Sequence, residues 1–323
     1  DGCSFAMDSD GKICARLKQC EEDLEIVSFD KKQPVKGRIE ESMTVESEVY
    51  KALVMGVRDY VCKNGFPGVI IGLSGGVDSA LVLAIAVDAL GPEKVRAVMM
   101  PSPYTSDISR IDASDMAARL KVPYDEIPIS DCFSSFLSTL APQFNNLPED
   151  STEENLQARI RGTLLMALSN KFGSIVLTTG NKSEMAVGYC TLYGDMAGGF
   201  AVIKDIYKTL VYRLCHYRNS ISDVIPERML TRAPTAELKP NQFDQDTLPP
   251  YEVLDTIVKM FMEDNRSVNE IVRNGYNTAV VERIVRLMRI NEYKRRQAPI
   301  GIRITPRGFG RDWRCPITSK YRD

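Results

Sequence analysis

Residues 69–80 read VIIGLSGGVDSA, and this stretch decides the fold. Its apolar run, 69–73, predicts a short buried strand, and residues 79–90 predict a helix that ends at Gly91. Glycines between a strand and a helix let backbone N–H groups approach an anion, towards which the helix directs its positive end. The stretch therefore predicts an anion-binding turn in an α/β fold, although a Gly-Gly turn without a ligand has the same pattern.

The polar side chains of this turn indicate which anion it binds. Ser74 and Ser79 add hydroxyl donors, whereas the carboxylate of Asp78 would be repelled by phosphates unless a divalent cation lay between them. The turn therefore predicts a Mg²⁺-nucleotide. A Walker A loop is excluded, because that loop ends in Gly-Lys-Ser/Thr and this one ends in Val-Asp-Ser.

Composition and length place the chain in a broad class. It has 323 residues, 44% hydrophobic and 26% charged, with a net charge of -2, which gives no general attraction to nucleic acid or membrane. No apolar run reaches membrane-spanning length. The eight cysteines form no CxxC pair, and His216 is the only histidine, which leaves little room for a histidine triad or metal centre. We expect reduced thiols and a cytoplasmic location.

Strands and helices alternate after residue 45, which predicts a parallel sheet covered on both faces. Further strands are predicted at 94–100, 124–129 and 174–178. The predicted helices are 45–63, 107–121, 130–140, 153–172, 251–264 and 277–296. Two polar, proline-containing segments, 141–150 and 234–250, are predicted loops, and the second is expected to order over bound substrate.

A second informative segment, TTGNKSEMAVGYCTLYGDMAGG, spans residues 178–199. In an open parallel sheet, a ligand lies beyond the carboxyl ends of the strands where their order reverses, so the loops after the first and fourth strands face each other. Glu184 would then meet Asp78 across one metal ion. The alternative is a solvated glutamate in the first turn of a helix, but the surrounding glycines and hydroxyl groups favour a site.

Seven segments occur in the order found in NAD synthetases: SGGVDS (74–79), ENLQARIR (154–161), TTGNKSE (178–184), YGDMAGGF (193–200), KDIYKT (204–209), APTAEL (233–238) and YKRRQAP (293–299). The first resembles the pyrophosphate loop of the N-type ATP pyrophosphatases. The resemblance covers about residues 44–300, and GYCTLYGDMAGGF is similar to the glutamine-dependent type. It implies an α/β fold, adenine-nucleotide α-hydrolase-like, in which five parallel strands are covered by helices on both faces. It also implies a helical C-terminal extension. It also implies the amidation of deamido-NAD to NAD with ATP and ammonia through an acyl-adenylate.

The resemblance also implies roles for individual residues. Ser74 is the position usually called catalytic, and we interpret it as a phosphate donor because no base is identifiable nearby. Asp78 and Glu184 would hold Mg²⁺. The residues implied to bind ATP are Gly72, Leu73, Ser74, Gly75, Gly76, Val77, Asp78, Ser79, Thr179, Lys208 and Thr235. Those implied to bind deamido-NAD are Asn155, Glu184, Tyr189, Cys190, Thr191, Leu192 and Lys294. Leu192 departs from the ammonia-dependent enzymes, which usually carry a lysine there.

Residues 1–43 resemble the closing part of a nitrilase-type glutaminase domain followed by a linker, and 44–323 the synthetase domain. The glutaminase Cys, Glu and Lys would lie upstream, so the chain is expected to be a fragment that uses ammonium but not glutamine. Cys3, Cys14 and Cys20 are then packing or surface thiols. The glutaminase domain is the expected partner in the full-length protein, and relatives imply a homo-oligomer.

Several alternatives stay open. Arg159 and Arg161 suit either a bound phosphate or salt bridges on a helix surface. The basic end of the chain, from residue 283, suits a solvated surface or subunit contact better than nucleic acid, because regular aromatic and basic spacing is lacking. GMP synthetase shares the SGGxDS loop but not the later motifs, and a nucleotide-sensing module without turnover is the third possibility. Asp78→Asn is expected to abolish adenylation and spare the fold.

Overall fold

The computed structural model describes residues 2–240 and 242–319. Residue 1 of the predicted glutaminase remnant, residue 241 of the predicted substrate loop and residues 320–323 of the basic end lie outside the described residues.

The N-terminal 43 residues contribute nothing to the central sheet. Their strands form two small antiparallel pairs, β1 (Phe5–Met7) with β2 (Ile13–Arg16) and β3 (Phe29–Asp30) with β4 (Gln33–Pro34). Helix α1 (Val45–Lys63) follows, with the Thr44 side chain capping its first turn. The hairpins thus end before the helix that begins at Val45.

Five parallel strands form the central sheet: β5 (Val69–Gly72), β6 (Val95–Met99), β7 (Tyr124–Glu126), β8 (Ile175–Thr178) and β9 (Phe200–Ala201). Their order is β7-β6-β5-β8-β9, and every neighbouring pair is parallel. Strand β5, which comes first in the chain among these five, thus lies between β6 and β8. This order confirms the predicted five-stranded parallel sheet and places the loops after β5 and β8 side by side.

Helices cover both faces of the sheet. They are α2 (Val77–Leu90), α3 (Asp107–Arg119), α4 (Ser130–Phe144), α5 (Ser151–Phe172), α6 (Lys182–Val187), α7 (Lys208–Ile221) and α8 (Glu227–Thr231). Side chains alternate along β5, so that Ile71 joins one core with residues of α1, α2 and α7, whereas Ile70 joins the opposite core with residues of α4 and α5. Both faces of β5 are therefore buried, as the apolar run predicts.

The C-terminal region is helical, as expected, with α9 (Tyr251–Met262), α10 (Val268–Arg273), α11 (Thr278–Ile290) and α12 (Glu292–Arg295). Its core packs Leu254 and Ile284 with Ala186 of α6. The extension therefore supports the short helix that carries Glu184.

Some predicted boundaries were wrong. Helix α2 begins at Val77 rather than 79, so Asp78 lies in its first turn. Helix α4 continues through Pro142 to Phe144, where the sequence predicts a loop; this stretch is exposed at the surface, so the proline ring and its missing N–H disturb no buried packing. The predicted helix 277–296 is divided at Asn291, whose side chain donates to Val187 O of α6 at 2.8 Å.

All eight cysteines are free; Cys14 is buried, and Cys3 and Cys20 are partly buried. Within residues 2–240 and 242–319, no helix is long and apolar enough to cross a membrane.

Candidate active site

The turn between β5 and α2 concentrates hydroxyl and N–H groups. Ser74 Oγ lies 3.1 Å from Ser79 Oγ and accepts a hydrogen bond from Gly76 N at 3.2 Å. Ser79 Oγ in turn donates to Gly76 O at 3.0 Å. The only histidine of the sequence, His216 on α7, is not among the described residues that line the cavity around Ser74. The serine is thus placed to donate to an anion, and its surroundings do not suit a covalent nucleophile.

Gly75 is required by two features of the turn. Its φ of 79° lies in the left-handed region, and a Cβ added here would lie 2.4 Å from Ser109 O in α3. The absence of a side chain therefore brings the first turn of α3 against the loop.

Lys208 lies between the two carboxylates that were predicted to share a metal. Its Nζ donates to Asp78 Oδ2 and lies 3.6 Å from Glu184 Oε1, and its side chain is only 2% exposed. Asp78 begins α2 after β5, whereas Glu184 belongs to α6 after β8. The sheet order thus brings the two acids together, as expected, with the ammonium group of the lysine in contact with both.

Burial and neighbouring charges shift the pKa values of Glu184 and Lys208. Burial, followed by the nearby Asp78 carboxylate, raises the pKa of Glu184 well above its usual range. Burial opposes the charged form of Lys208, but the two carboxylates outweigh it and raise the pKa of that lysine. The lysine therefore stays protonated, and its charge compensates the buried acids.

Capping interactions hold the acids in place. Asn181 caps α6 by accepting from Glu184 N at 3.0 Å, while its Nδ2 donates to Asp78 Oδ1 at 2.9 Å. Asp255 of α9 accepts from Ser183 Oγ and from Thr209 N, the latter at 2.9 Å. These contacts tie α2, α6, α7 and α9 into one support for the site.

The donor set suits a magnesium ion. Asp78 and Glu184 offer the carboxylate oxygens that Mg²⁺ prefers, and such ions commonly use one or two carboxylates together with substrate phosphates and water. Among the described residues, no group of three or more acidic, His or Cys side chains could hold a metal by itself. A metal at this position would take its remaining ligands from water or from a bound phosphate.

A cavity of about 570 Å³ opens above the turn. It is lined by every residue predicted to bind ATP: Gly72, Leu73, Ser74, Gly75, Gly76, Val77, Asp78, Ser79, Thr179, Lys208 and Thr235. Six of the residues predicted to bind deamido-NAD also line it: Asn155, Glu184, Tyr189, Cys190, Thr191 and Lys294. Residues that are far apart in the sequence therefore share one volume.

Leu192 differs from the other predicted site residues, because it is not part of the cavity wall formed by the described chain. Its carbonyl accepts from Arg159 Nε at 3.2 Å, which ties the loop after α6 to α5. The neighbouring Thr191 Oγ1 donates to Asn155 Oδ1 at 2.7 Å. Lys294 Nζ donates to two carbonyls of the same loop, those of Gly188 and Cys190.

The segment after α8 forms another wall, as the prediction of a substrate loop requires. Residues 232–238, Gln242 and Asp244 line the cavity. Glu237 accepts from the hydroxyls of Ser106 and Ser109, both at 2.8 Å, and Gln157 Nε2 donates to Leu238 O. The loop is thus attached to both α3 and α5.

Sequence reasoning missed Asp244. Its carboxylate accepts from Tyr251 OH at 2.8 Å and from Tyr189 OH at 3.2 Å, and burial raises its pKa. In the sequence it is one of several acids in a polar loop, and no local pattern singles it out. Asp255 was missed for the same reason, since an isolated acid in a helix gives no signal.

Comparison with known proteins places this geometry in a family. The family model described as NAD synthase matches residues 49–298. A glutamine-dependent NAD(+) synthetase from Acinetobacter baylyi is 53% identical over 326 aligned positions, which cover 100% of this chain and 60% of that protein. The chain thus spans less than two thirds of the length of this curated relative.

Two solved structures share the fold. A glutamine-dependent NAD+ synthetase from Acinetobacter baumannii, in complex with ADP, is 52% identical with a TM-score of 0.71, covering 98% of this chain and 58% of that one. An NMN synthetase from Francisella tularensis is 25% identical with a TM-score of 0.66, covering 82% of this chain and 99% of that one.

Proposed function

Because the chain belongs to the NAD synthase family, we propose that its cavity amidates deamido-NAD to NAD, using ATP and ammonia and releasing AMP and pyrophosphate. The observation that carries the proposal is the meeting of Asp78, Glu184 and Lys208 beside the serine and glycine turn, in one cavity with the hydroxyl-bearing loop after α6. The proposal extends to the whole protein, in which a glutaminase domain would supply the ammonia.

The first step activates a poor electrophile. A nicotinate carboxylate resists attack by ammonia, so one of its oxygens forms a bond to the α-phosphorus of ATP while the bond to pyrophosphate breaks. This step demands charge compensation and alignment more than proton transfer. Ser74 donates its hydroxyl to the departing pyrophosphate, Gly75 adds its N–H group, and Lys208 adds a fixed positive charge. Ser79 and Gly76 contribute by giving up the bonds that they make within the free turn, to Gly76 O and to Ser74 Oγ respectively.

The second step forms the amide. Ammonia attacks the acyl carbon of the adenylate, the C–O bond to AMP breaks, and the nitrogen loses one proton. Asn155, Tyr189 and Thr191 are proposed to hold the dinucleotide, and Thr179 and Thr235 the adenosine nucleotide. The hydrogen bond between Thr191 and Asn155 supports a common role, because it fixes both side chains at the same wall.

Asp78 and Glu184 are proposed to hold Mg²⁺ together with phosphate oxygens. When bound, the ion neutralises phosphate charge and polarises the phosphoryl group. The support lies in the donor chemistry and in the position of both carboxylates on the wall of one cavity.

A product assay tests the proposal. Purified chain is mixed with ATP, Mg²⁺, ammonium and deamido-NAD, and NAD and AMP are quantified by chromatography. We expect the two products in equal amounts. Turnover of XMP instead would favour a GMP synthetase, and nucleotide binding without any turnover would favour a sensing module.

A second arm tests the size of the substrate. The similarity to an NMN synthetase makes nicotinate mononucleotide the informative competitor. We expect a higher kcat/KM with deamido-NAD, because six of the residues implied to hold the dinucleotide line the cavity. A preference for the mononucleotide would contradict the dinucleotide assignment. The cytoplasmic location and the homo-oligomer remain predictions, tested by fractionation and by light scattering.

A further inference from the structure

Arg161, in the third turn of α5, is a cation that lacks an acidic partner. Its Nε donates to Met100 O at 3.0 Å, just beyond the carboxyl end of β6. Among residues 2–240 and 242–319, no carboxylate lies within 4.0 Å of it, and its two terminal nitrogens have no hydrogen-bond partner. The salt bridge that the sequence left open is therefore not formed.

The surroundings make this charge unfavourable in the free protein. Burial lowers the pKa of Arg161 to about 10, against a weak opposing effect of Glu237. The group nevertheless remains protonated at neutral pH. The Arg161 side chain is only partly exposed, and a cation that is partly removed from water is stabilised by an anionic partner, so the arrangement suits the binding of an anion.

The guanidinium faces the site because the backbone of α5 is fixed there. Arg161 lines the cavity together with Met100 and the serine and glycine turn. A Cβ on the adjacent Gly162 would lie 2.7 Å from Gly194 O and 2.9 Å from Tyr193 O, so the helix packs directly on the loop after α6. Because Nε is held by a carbonyl, the two terminal nitrogens form a preorganised pair of donors.

We propose that Arg161 binds a phosphate of the nucleotide held in this cavity. The inference rests on the proposed function, which supplies two sources of that anion, ATP and the diphosphate of deamido-NAD. Either phosphate would give the guanidinium the negative partner that the protein does not provide. Arg159, two residues away, is different: it is exposed and donates to the carbonyl of Leu192.

The test compares Arg161→Gln, Arg161→Lys and a control, Lys171→Gln, which removes an exposed cation from the same helix. Binding of ATP, AMP, adenosine and deamido-NAD is measured by calorimetry, and thermal melting checks folding. Loss of a charge-assisted hydrogen bond predicts affinity about 10- to 100-fold weaker for Arg161→Gln. We expect Arg161→Lys to lose less, since it keeps the charge without the fork, and the control to match the parent chain.

The ligands distinguish the source. Weaker binding of ATP and AMP assigns Arg161 to the adenosine nucleotide, and weaker binding of deamido-NAD alone assigns it to the dinucleotide. The proposal is overturned if both Arg161 variants bind all four ligands like the control, or if adenosine loses as much affinity as AMP. Failure of the parent chain to make NAD would refute the proposed function. The binding affinities would still show whether Arg161 binds a phosphate, because they do not depend on turnover.

Discussion

Asp78→Asn should destabilise the protein as well as abolish catalysis. From the sequence alone, we expected this nearly isosteric change to spare the fold. In the structure, however, Asp78 neutralises Lys208, which is only 2% exposed. Asparagine can still accept the hydrogen bond from Asn181, but it leaves the ammonium with Glu184 alone, 3.6 Å away.

The size of the effect follows from that geometry. Breaking a fully buried ion pair costs about 3–5 kcal/mol, because one charge is left uncompensated. Here Asp78 is 17% exposed and the second carboxylate remains, so we expect about 2–3 kcal/mol. The same variant should release no pyrophosphate above background under conditions in which it is folded.

Chemical denaturation of four proteins measures this effect. The parent chain, Asp78→Asn, Lys208→Met and the double variant form a cycle that isolates the interaction between the two side chains. We expect the double variant to be more stable than the sum of the single losses predicts. An unchanged denaturation midpoint for Asp78→Asn, or strictly additive losses, would show that the pair does not stabilise the fold.

Three further changes test other parts of the molecule. Gly75→Ala should lower the free energy of unfolding by about 2–4 kcal/mol and remove nearly all activity, because its Cβ would lie 2.4 Å from Ser109 O. Gly11→Ala is the control, since Gly11 has a φ of 82° but open space around it. In the same denaturation assay it measures the backbone strain alone. The buried hydroxyl of Tyr124 has no hydrogen-bond partner within the described part of the chain, and burial raises its pKa to about 12. The fold therefore favours the neutral form, and stability falls as the pH rises from about 10 to 12. Tyr124→Phe should make that fall less steep without removing it, because burial also raises the pKa of Tyr50, Tyr189, Tyr207, Tyr212 and Tyr251. Stability at neutral pH should be equal or up to about 1 kcal/mol higher, and an unchanged slope between about pH 10 and 12 would show that Tyr124 does not contribute. Lys182→Met should lower the free energy of unfolding, measured by thermal melting, by about 3–5 kcal/mol, because the lysine is fully buried and its loss leaves two buried carboxylates without their cation. A smaller loss would mean that the methionine side chain packs well in its place.

Local structure could be predicted from the sequence where one element carries its own signal. The apolar run before the glycines predicts β5, and α1 has the predicted bounds because Thr44 and Asn64 flank its periodic stretch. Parallel pairing of β5 with β8 follows from the alternation of strands and helices, and it places Asp78 near Glu184 without any knowledge of their contacts. The predicted end of α4 is wrong because a proline usually stops a helix, whereas this exposed helix contains Pro142 in its last turn.

The charge state of the site depends instead on partners that are remote in the sequence. Lys208 pairs with an acid 130 residues away, and Arg161 donates to a carbonyl 61 residues away. The identity of a lysine or an arginine in the sequence does not show whether its side chain is exposed or paired with an acid. The sequence therefore cannot distinguish a cation with a neighbouring carboxylate from one without. Tertiary structure separates them: among the residues that the structure describes, Lys208 has two carboxylates within 4.0 Å and helps to stabilise the free protein, whereas Arg161 has none. An incoming phosphate therefore competes with acids for the lysine but not for the arginine, so binding should depend more strongly on Arg161.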